Sequence, residues 1–471
     1  MMMIPRQSPI KILSKYFRFG IIIAILILTI VTLFNYKGNS YIYLIFSVVS
    51  NILLYIGFRK NAIFFDAFIG ILFWLGFWLK LSIRVCFAQS AFHEAVGNFN
   101  GTGEAFDFSL WVTSCGMLGL ILASFLRQKF IFNYPQDPCE FSHNNLLSFY
   151  AVNRNSVLIS FVLLVLTIVF TNFYLGIYQR GQISRTTLPY GLNGIFKWLL
   201  LFGLASFSAV ILKCEITIKK FSYLIVILSL LESFLTNISM LSRGMILNMS
   251  ALGYGIYLSI TKIPLKITTR FVLICTLTFL ILFASSILIV NKIRVTGLQY
   301  GDAVKWLNVD GVTPLFIDRW VGIEGVMAVA SSPSVGWDLW QEAIDERYSE
   351  NKISFYDKNL IESPYADLDF TKHHYVSLPG ILAFFFYPGS FYFLFVSMFL
   401  LSLIASLIEI SAFRLGGNNL ILCALISEVV AYRYANFGYV PAQSYLLFGA
   451  IFLNLFIIFF LNRLLGIWKL T

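Results

Sequence analysis

The sequence predicts an all-α integral membrane protein of about twelve transmembrane helices, on three observations. Hydrophobic residues fill 58% of its 471 positions and charged ones only 12%, too little polar surface for a soluble domain of this size. Mean hydropathy is +0.80. Apolar runs of about 20 residues, the length that crosses a hydrocarbon core, recur from end to end. The net charge of +11 comes from lysines and arginines in short clusters between those runs. That arrangement sets membrane topology, and no nucleic acid partner is expected.

The first run, 17–34, follows Arg6, Lys11, Lys15 and Arg18. It has no small-residue cleavage pattern and leads into "NYKGNS", so it reads as a retained span and not a removed signal peptide. Runs 41–58, 63–86, 108–126, 156–175, 195–212, 221–238, 244–260 and 271–290 complete a first region, 1–290, of nine spans with short loops. A long polar segment, 291–376, follows, and the last region, 377–471, holds spans 378–404, 420–435 and 442–462. With the amino terminus in the cytoplasm, the inside segments gather 18 of the 34 basic residues, which fixes the orientation and leaves both termini inside. The 86-residue segment 291–376 then becomes a periplasmic loop between the ninth and tenth spans. It carries 13 of the 23 carboxylates and 8 lysines or arginines, an acidity that long translocated loops tolerate. A connection of that length inside a bundle points to function.

Six cysteines stand singly in or beside apolar runs and read as small buried hydrophobes. With no Cys/His ligand spacing, neither a disulfide frame nor a metal site is expected, and no cofactor. Charged groups within spans are few: Asp66, Lys80, Arg84, Glu232, Glu428 and Arg433.

The arginines on the expected outer face carry the functional argument. "YQRGQISRTTLPYGLNGIFK" between the fifth and sixth spans holds Arg180 and Arg185, and "MLSRGMILN" between the seventh and eighth leaves Arg243 at the surface. The large loop adds Arg294 and Arg319, and "EVVAYRYANFGYVP" places Arg433 near the outer end of the eleventh span. One such arginine alone snorkels to headgroups or pairs with a carboxylate. Several on one face, from separate connections, fit a shared anion: guanidinium groups fork onto phosphate oxygens, and a lipid-linked pyrophosphate lies at that depth.

In "FIDRWVGIEGVMAVASSPSVGWD", Trp320, Ile323, Met327 and Ala330 recur at helical spacing. They predict a short amphipathic helix lying in the interface, with Gly322 and Gly325 letting another backbone or a lipid approach. Arg319 and Glu324 would sit about 140° apart around such a helix, poorly placed to neutralise one another. For a general base, histidine is the usual side chain poised near neutral pH. His373 and His374 stand together in "FTKHHYVSLPGILAFFFYPGSFYFLF", where the loop returns to the membrane. His93 with Glu94, before the fourth span, is a weaker pair, and His143 falls on the cytoplasmic side. Trp320, Trp337, Trp340 and Tyr375 are candidates to stack on sugar faces, although interfacial aromatics also serve as plain anchors.

The twelve-span layout, the "SRG" turn, the large outer loop and "HHYVSLPGILAFFFYPG" together resemble the O-antigen polymerases and ligases of bacterial envelopes. "RWVGIEGVMAV" is more similar to the Wzy-type oligosaccharide repeat-unit polymerases. The resemblance implies a GT-C-like bundle and metal-independent glycosyl transfer at the periplasmic face of the inner membrane. Donor and acceptor would be undecaprenyl-pyrophosphate-linked glycans, and a chain-length regulator protein is a further partner it implies. Polymerases of this kind show an arginine, ten residues and a glycine in one outer loop, as Arg180 and Gly191 do here. A second loop should space them by fifteen, whereas sixteen residues separate Arg319 from Gly336. Ligases place an arginine in the "SRG" turn, as with Arg243, and a histidine before a late span, as with His373 or His374. On this reading Arg180, Arg185, Arg243, Arg319, Arg294 and Arg433 bind pyrophosphate, and His374, His373 or Glu324 activates the acceptor hydroxyl. An O-antigen ligase acting on lipid A core and a lipid-linked oligosaccharide flippase remain open; a flippase calls for charge spread through a central cavity.

Overall fold

The computed structural model describes residues 9–88, 90–135, 145–219, 223–242, 244–261, 269–298, 317–349, 352–361 and 376–467. Among these the chain is all-helical, without a strand, and eight helices are long and apolar enough to cross a membrane.

Helices α1 (Pro9–Asn35) and α2 (Ser40–Gly57) are joined by a tight turn in which the Asn39 side chain accepts from Tyr41 N–H, capping α2. Residues 64–87 form one continuous rod: α3 (Phe64–Phe73), a π-helical turn (Trp74–Leu79) and α4 (Lys80–Phe87). α5 (Gly103–Phe130) begins at Thr102, whose hydroxyl accepts from Ala105 N–H, and α6 (Asn145–Leu175) follows. α7 (Leu192–Trp198) passes through a second π turn (Leu199–Gly203) into α8 (Leu204–Lys219). Then come α9 (Tyr223–Ser239), α10 (Met245–Thr261) and α11 (Thr269–Leu298). The segment after it contributes the short helices α12 (Ile323–Ala330), α13 (Trp337–Ile344) and α14 (Phe355–Asn359). The chain closes with α15 (Ile381–Phe384), α16 (Phe391–Leu415), α17 (Leu420–Ala435) and α18 (Ser444–Ile467). One core joins α2–α5 with α12 and α15–α18, and a second forms among α6, α8 and α9.

Buried ion pairs lock one end of the first group. Arg127 reaches Asp66 at 2.8 Å, both buried. Glu409 of α16 receives the N–H groups of Phe64 and Phe65 at 2.8 and 2.9 Å, capping the start of α3, and also the Tyr134 and Ser427 hydroxyls. Lys80 and Arg84 lie at the other end of the same rod. Asp66 and Lys80 are 14 residues apart, or about 21 Å at the helical rise.

Two expectations are corrected. The tenth span does not start at 378: residues 376–380 have no helical structure, α15 is one turn, and α16 starts at 391. Gly389 adopts φ +73° and the Ser390 hydroxyl accepts from Phe393 N–H at 3.2 Å, so "PGS" is a break followed by a cap. Nor is α12 an interfacial helix with one apolar face. It starts at Ile323, after a turn holding Arg319, and all residues from Ile323 to Val329 are buried. A helix apolar on every side belongs inside the protein.

The glycines beside α12 allow that burial. A Cβ at Gly322 would lie 1.8 Å from Gly76 O in the first π turn, and one at Gly325 would lie 1.9 Å from Pro379 O. Both neighbours are backbone, as the sequence suggested, and neither can step aside. Gly325→Ala is therefore expected to lower stability by about 2–3 kcal/mol or more, read as a fall in thermal midpoint of the detergent-purified protein. Gly253→Ala, where nothing lies within 4 Å, should leave the midpoint unchanged; equal behaviour of the two variants would contradict this packing.

Candidate functional site

Lys80 follows the π turn directly, and its backbone N–H reaches back five residues to Leu75 O. The extra residue in that turn re-aims everything after it, a device frequent at functional sites. The Lys80 side chain is 1% exposed. An ammonium this deep must be paired, and its partners all come from one short stretch. Nζ donates to Asp318 O at 3.1 Å, to Trp320 O, and to Glu324 Oε2 at 3.1 Å, with Glu324 Oε1 at 2.9 Å. One turn on, the Arg84 guanidinium forks onto Asp318, Nε to Oδ1 at 3.0 Å and Nη2 to Oδ2. Two cations of α4 thus fasten residues 318–324 to the rod.

Beside these pairs is a cavity of about 220 Å³, lined by Lys80, Glu94, Asp318, Arg319, Trp320, Glu324 and Tyr356, with Asn436 from the end of α17. Glu94 comes from the loop between α4 and α5. That loop is held down by the Arg84 bond to Ala91 O at 3.3 Å and by Gly97, whose φ is +59° and whose Cβ would lie 2.2 Å from Leu360 O. Burial raises the Glu94 carboxyl pKa, and the charge on Glu324 raises it further, against the pull of Lys80 and His93. Glu324 Oε1 is buried and lies 2.9 Å from Nζ, an ion-pair contact that does not count as a directed hydrogen bond.

Of the expected site residues, Glu324 and Arg319 meet in this cavity. Arg180 lies elsewhere. Its side chain bonds the Tyr432 and Tyr178 hydroxyls, feels the charge of Glu428, and stands 3.8 Å from a Cβ built on Gly244, beside the "SRG" turn. Glu428, Tyr432 and Asn436 are spaced four residues apart, so one face of α17 runs from Arg180 toward the cavity. Arg185 is exposed, its aliphatic stem over Gly176. Arg433 donates to Ser444 Oγ at 3.0 Å and stacks on Phe437, away from the cavity lining. Arg294 falls on the last turns of α11. Arg243, His373, His374 and Tyr375 lie outside the described residues. The four arginines with described side chains therefore do not share one cavity: Arg319 lines it, Arg180 stands by Tyr432 of α17, and Arg185 and Arg433 are directed elsewhere. Trp340 packs among Phe384, Phe385 and Phe393, and Trp337 meets Phe393, which leaves Trp320 as the tryptophan lining the cavity.

Lys80, Arg84 and Asp318 complete the site beyond the residues expected to form it, and Glu94, expected with His93 as a weaker pair, joins them. The available signal was a pair of cations one turn apart in an apolar run, since ionisable residues within spans mark function by default. Among the described residues no group of three or more His, Cys, Asp or Glu side chains is placed to hold a metal ion. Chemically, the arrangement offers one carboxylate fixed by an ammonium and a second held toward its protonated form, the contrast that separates acid from base roles.

No family model, no curated protein and no solved structure matches the chain.

The buried pair itself can be tested. Lys80→Met should destabilise the protein by about 3–5 kcal/mol, because it strands Glu324. Adding Glu324→Leu to that variant should recover most of the loss. Thermal unfolding of the single and double variants measures this coupling, and purely additive losses would contradict it.

Proposed function

We propose that this chain polymerises undecaprenyl-pyrophosphate-linked oligosaccharide repeat units at the periplasmic face of a bacterial inner membrane. The observation that supports this reading best is the cavity in which Arg319 stands with two carboxyl groups of unlike environment, Glu94 and Glu324. Joining glycans needs a cation where the diphosphate departs and a base where the acceptor hydroxyl loses its proton. Arg319 fits the first need. Arg180, beside the "SRG" turn and along the same face of α17, is a second grip for a diphosphate, and Arg185 and Arg243 belong to that neighbourhood in sequence. Glu324 and Glu94 are the carboxylates that the cavity offers for the base; His373 and His374 stay with the proposal as alternatives. The twelve-span count, cytoplasmic termini and periplasmic placement of 291–376 belong to the same reading.

The lysine and arginine pairs support an enzyme over a flippase. Lys80 and Arg84 are bound to residues 318–324 at one end of the rod and do not line a passage between its ends.

Purified protein incubated with lipid-linked repeat units extracted from the source cells should yield products of two or more repeats. Arg319→Ala should cut elongation about 100-fold while the variant still reaches the membrane. Arg319→Lys should also be impaired, because a point charge does not reproduce a bidentate fork. Normal elongation by Arg319→Ala would refute its role. In cells, loss of the chain should leave a single repeat attached to the lipid A core; loss of all attached repeats would identify a ligase instead.

A further inference from the structure

We infer that the cavity beside α12 takes a saccharide hydroxyl between Glu94 and Glu324, and that the departing diphosphate reaches no further in than Arg319. This deepens the glycan-joining reading and rests on it for the chemical step, though not for the binding.

The two cations of α4 are already committed, and the one buried donor left open in the lining, among the described residues, is a neutral hydroxyl, Ser377 Oγ. An ammonium has three N–H groups, and Lys80 directs its three to Asp318 O, Trp320 O and Glu324. Arg84 is forked onto Asp318. An entering phosphate would find Arg319 as its cation and meet the carboxylates Glu94 and Glu324 at once. Like charges at that range repel strongly in a partly desolvated site.

The carboxylates are less fully answered. Glu324 lines the cavity, and its buried Oε1, 2.9 Å from the Lys80 ammonium, shares the ion pair but takes no directed hydrogen bond. A buried acceptor left this way is costly, and a ligand that donates recovers the cost. Glu94 adds a second acceptor, placed by a loop that Gly97 and Ala91 anchor to fixed neighbours. A neutral polyol is the ligand class that brings several O–H donors without charge. The cavity of about 220 Å³ holds several waters and is on the scale of a single sugar unit. Trp320 and Tyr356 supply aromatic surface to its ring.

In the transfer step, the acceptor hydroxyl oxygen bonds to the donor's anomeric carbon. The bond from that carbon to the diphosphate oxygen breaks, its electron pair leaving on the diphosphate, and the hydroxyl proton passes to the Glu94 carboxylate. Glu324 stays with Lys80 and aligns the hydroxyl. Among the described residues, the ionisable groups around Glu94 are Lys80, His93, Asp318, Arg319, Glu324 and Tyr356. Burial raises the Glu94 pKa and so favours proton uptake there, and the Glu324 charge reinforces this. A base of raised pKa works above that pKa, so the rate should fall as pH drops through it.

The test uses full-length protein in nanodiscs, titrated with a panel of methyl glycosides and, separately, with inorganic pyrophosphate, following tryptophan fluorescence with Trp320→Phe as the control. At least one methyl glycoside should bind, and Glu94→Gln should weaken it about tenfold while changing pyrophosphate binding less than about twofold. In elongation assays Glu94→Gln should lower kcat about 100-fold with donor KM unchanged and remove the acidic limb of the pH profile, with Glu94→Asp recovering part of both. Failure of every glycoside to bind, competitive displacement of glycoside by pyrophosphate, or wild-type elongation by Glu94→Gln would overturn the proposal. Should glycosides bind as described while the protein joins no repeat units, the sugar subsite stands and the polymerase reading falls.

Discussion

A buried ammonium organises this end of the molecule. Lys80 sits in a helix whose surroundings are apolar, where an unpaired charge is intolerable. Its three acceptors all lie between residues 318 and 324, so satisfying the charge also fixes the chain there. Gly76 and Gly322 make the contact close enough, backbone against backbone, and the π turn gives Lys80 its direction. Arg84 adds the second fastening through Asp318. α12 can then run through the core with no polar face of its own beyond Glu324.

The two ends of the rod differ in how fully their charges are answered. Around Asp66 and Glu409 the carboxylates take up arginine, tyrosine, serine and backbone donors, and the result is a closed structural knot. Arg154 and Tyr150 close on Glu215 in the same manner. Beside α12, Lys80 and Arg84 are fully engaged, while the Glu324 carboxylate that faces the cavity keeps one oxygen with no directed hydrogen bond. A fully satisfied network rigidifies; one with an unanswered acceptor is poised for a ligand. This contrast, and not the number of cations, distinguishes the site.

The helical segments were legible because lipid leaves few alternatives to a run of apolar residues of spanning length. The close backbone approach at Gly322 and Gly325 was legible for a similar reason: residues without a Cβ advertise a tight contact. The interfacial reading of α12 failed because one stripe, Trp320, Ile323, Met327 and Ala330, was weighed without its complement. Gly325, Val326, Ala328 and Val329 fill the other side with small or apolar groups, a pattern for complete burial. The tenth span was drawn too early because "ILAFFFYPG" is apolar enough to join it, while the break lies in the backbone conformation at Gly389.

By itself the sequence determined the membrane class, the helices, and Arg319 and Glu324 as residues worth watching, since composition and periodicity are local properties that hydrocarbon and water sort directly. Only the tertiary structure decided partnership. Glu324 answers Lys80 from 244 positions away, Glu94 joins them from a third element, and Arg180 keeps company with Tyr432 instead. Charges pair by proximity in space, and no spacing along the chain encodes which of 34 cations a given carboxylate will meet.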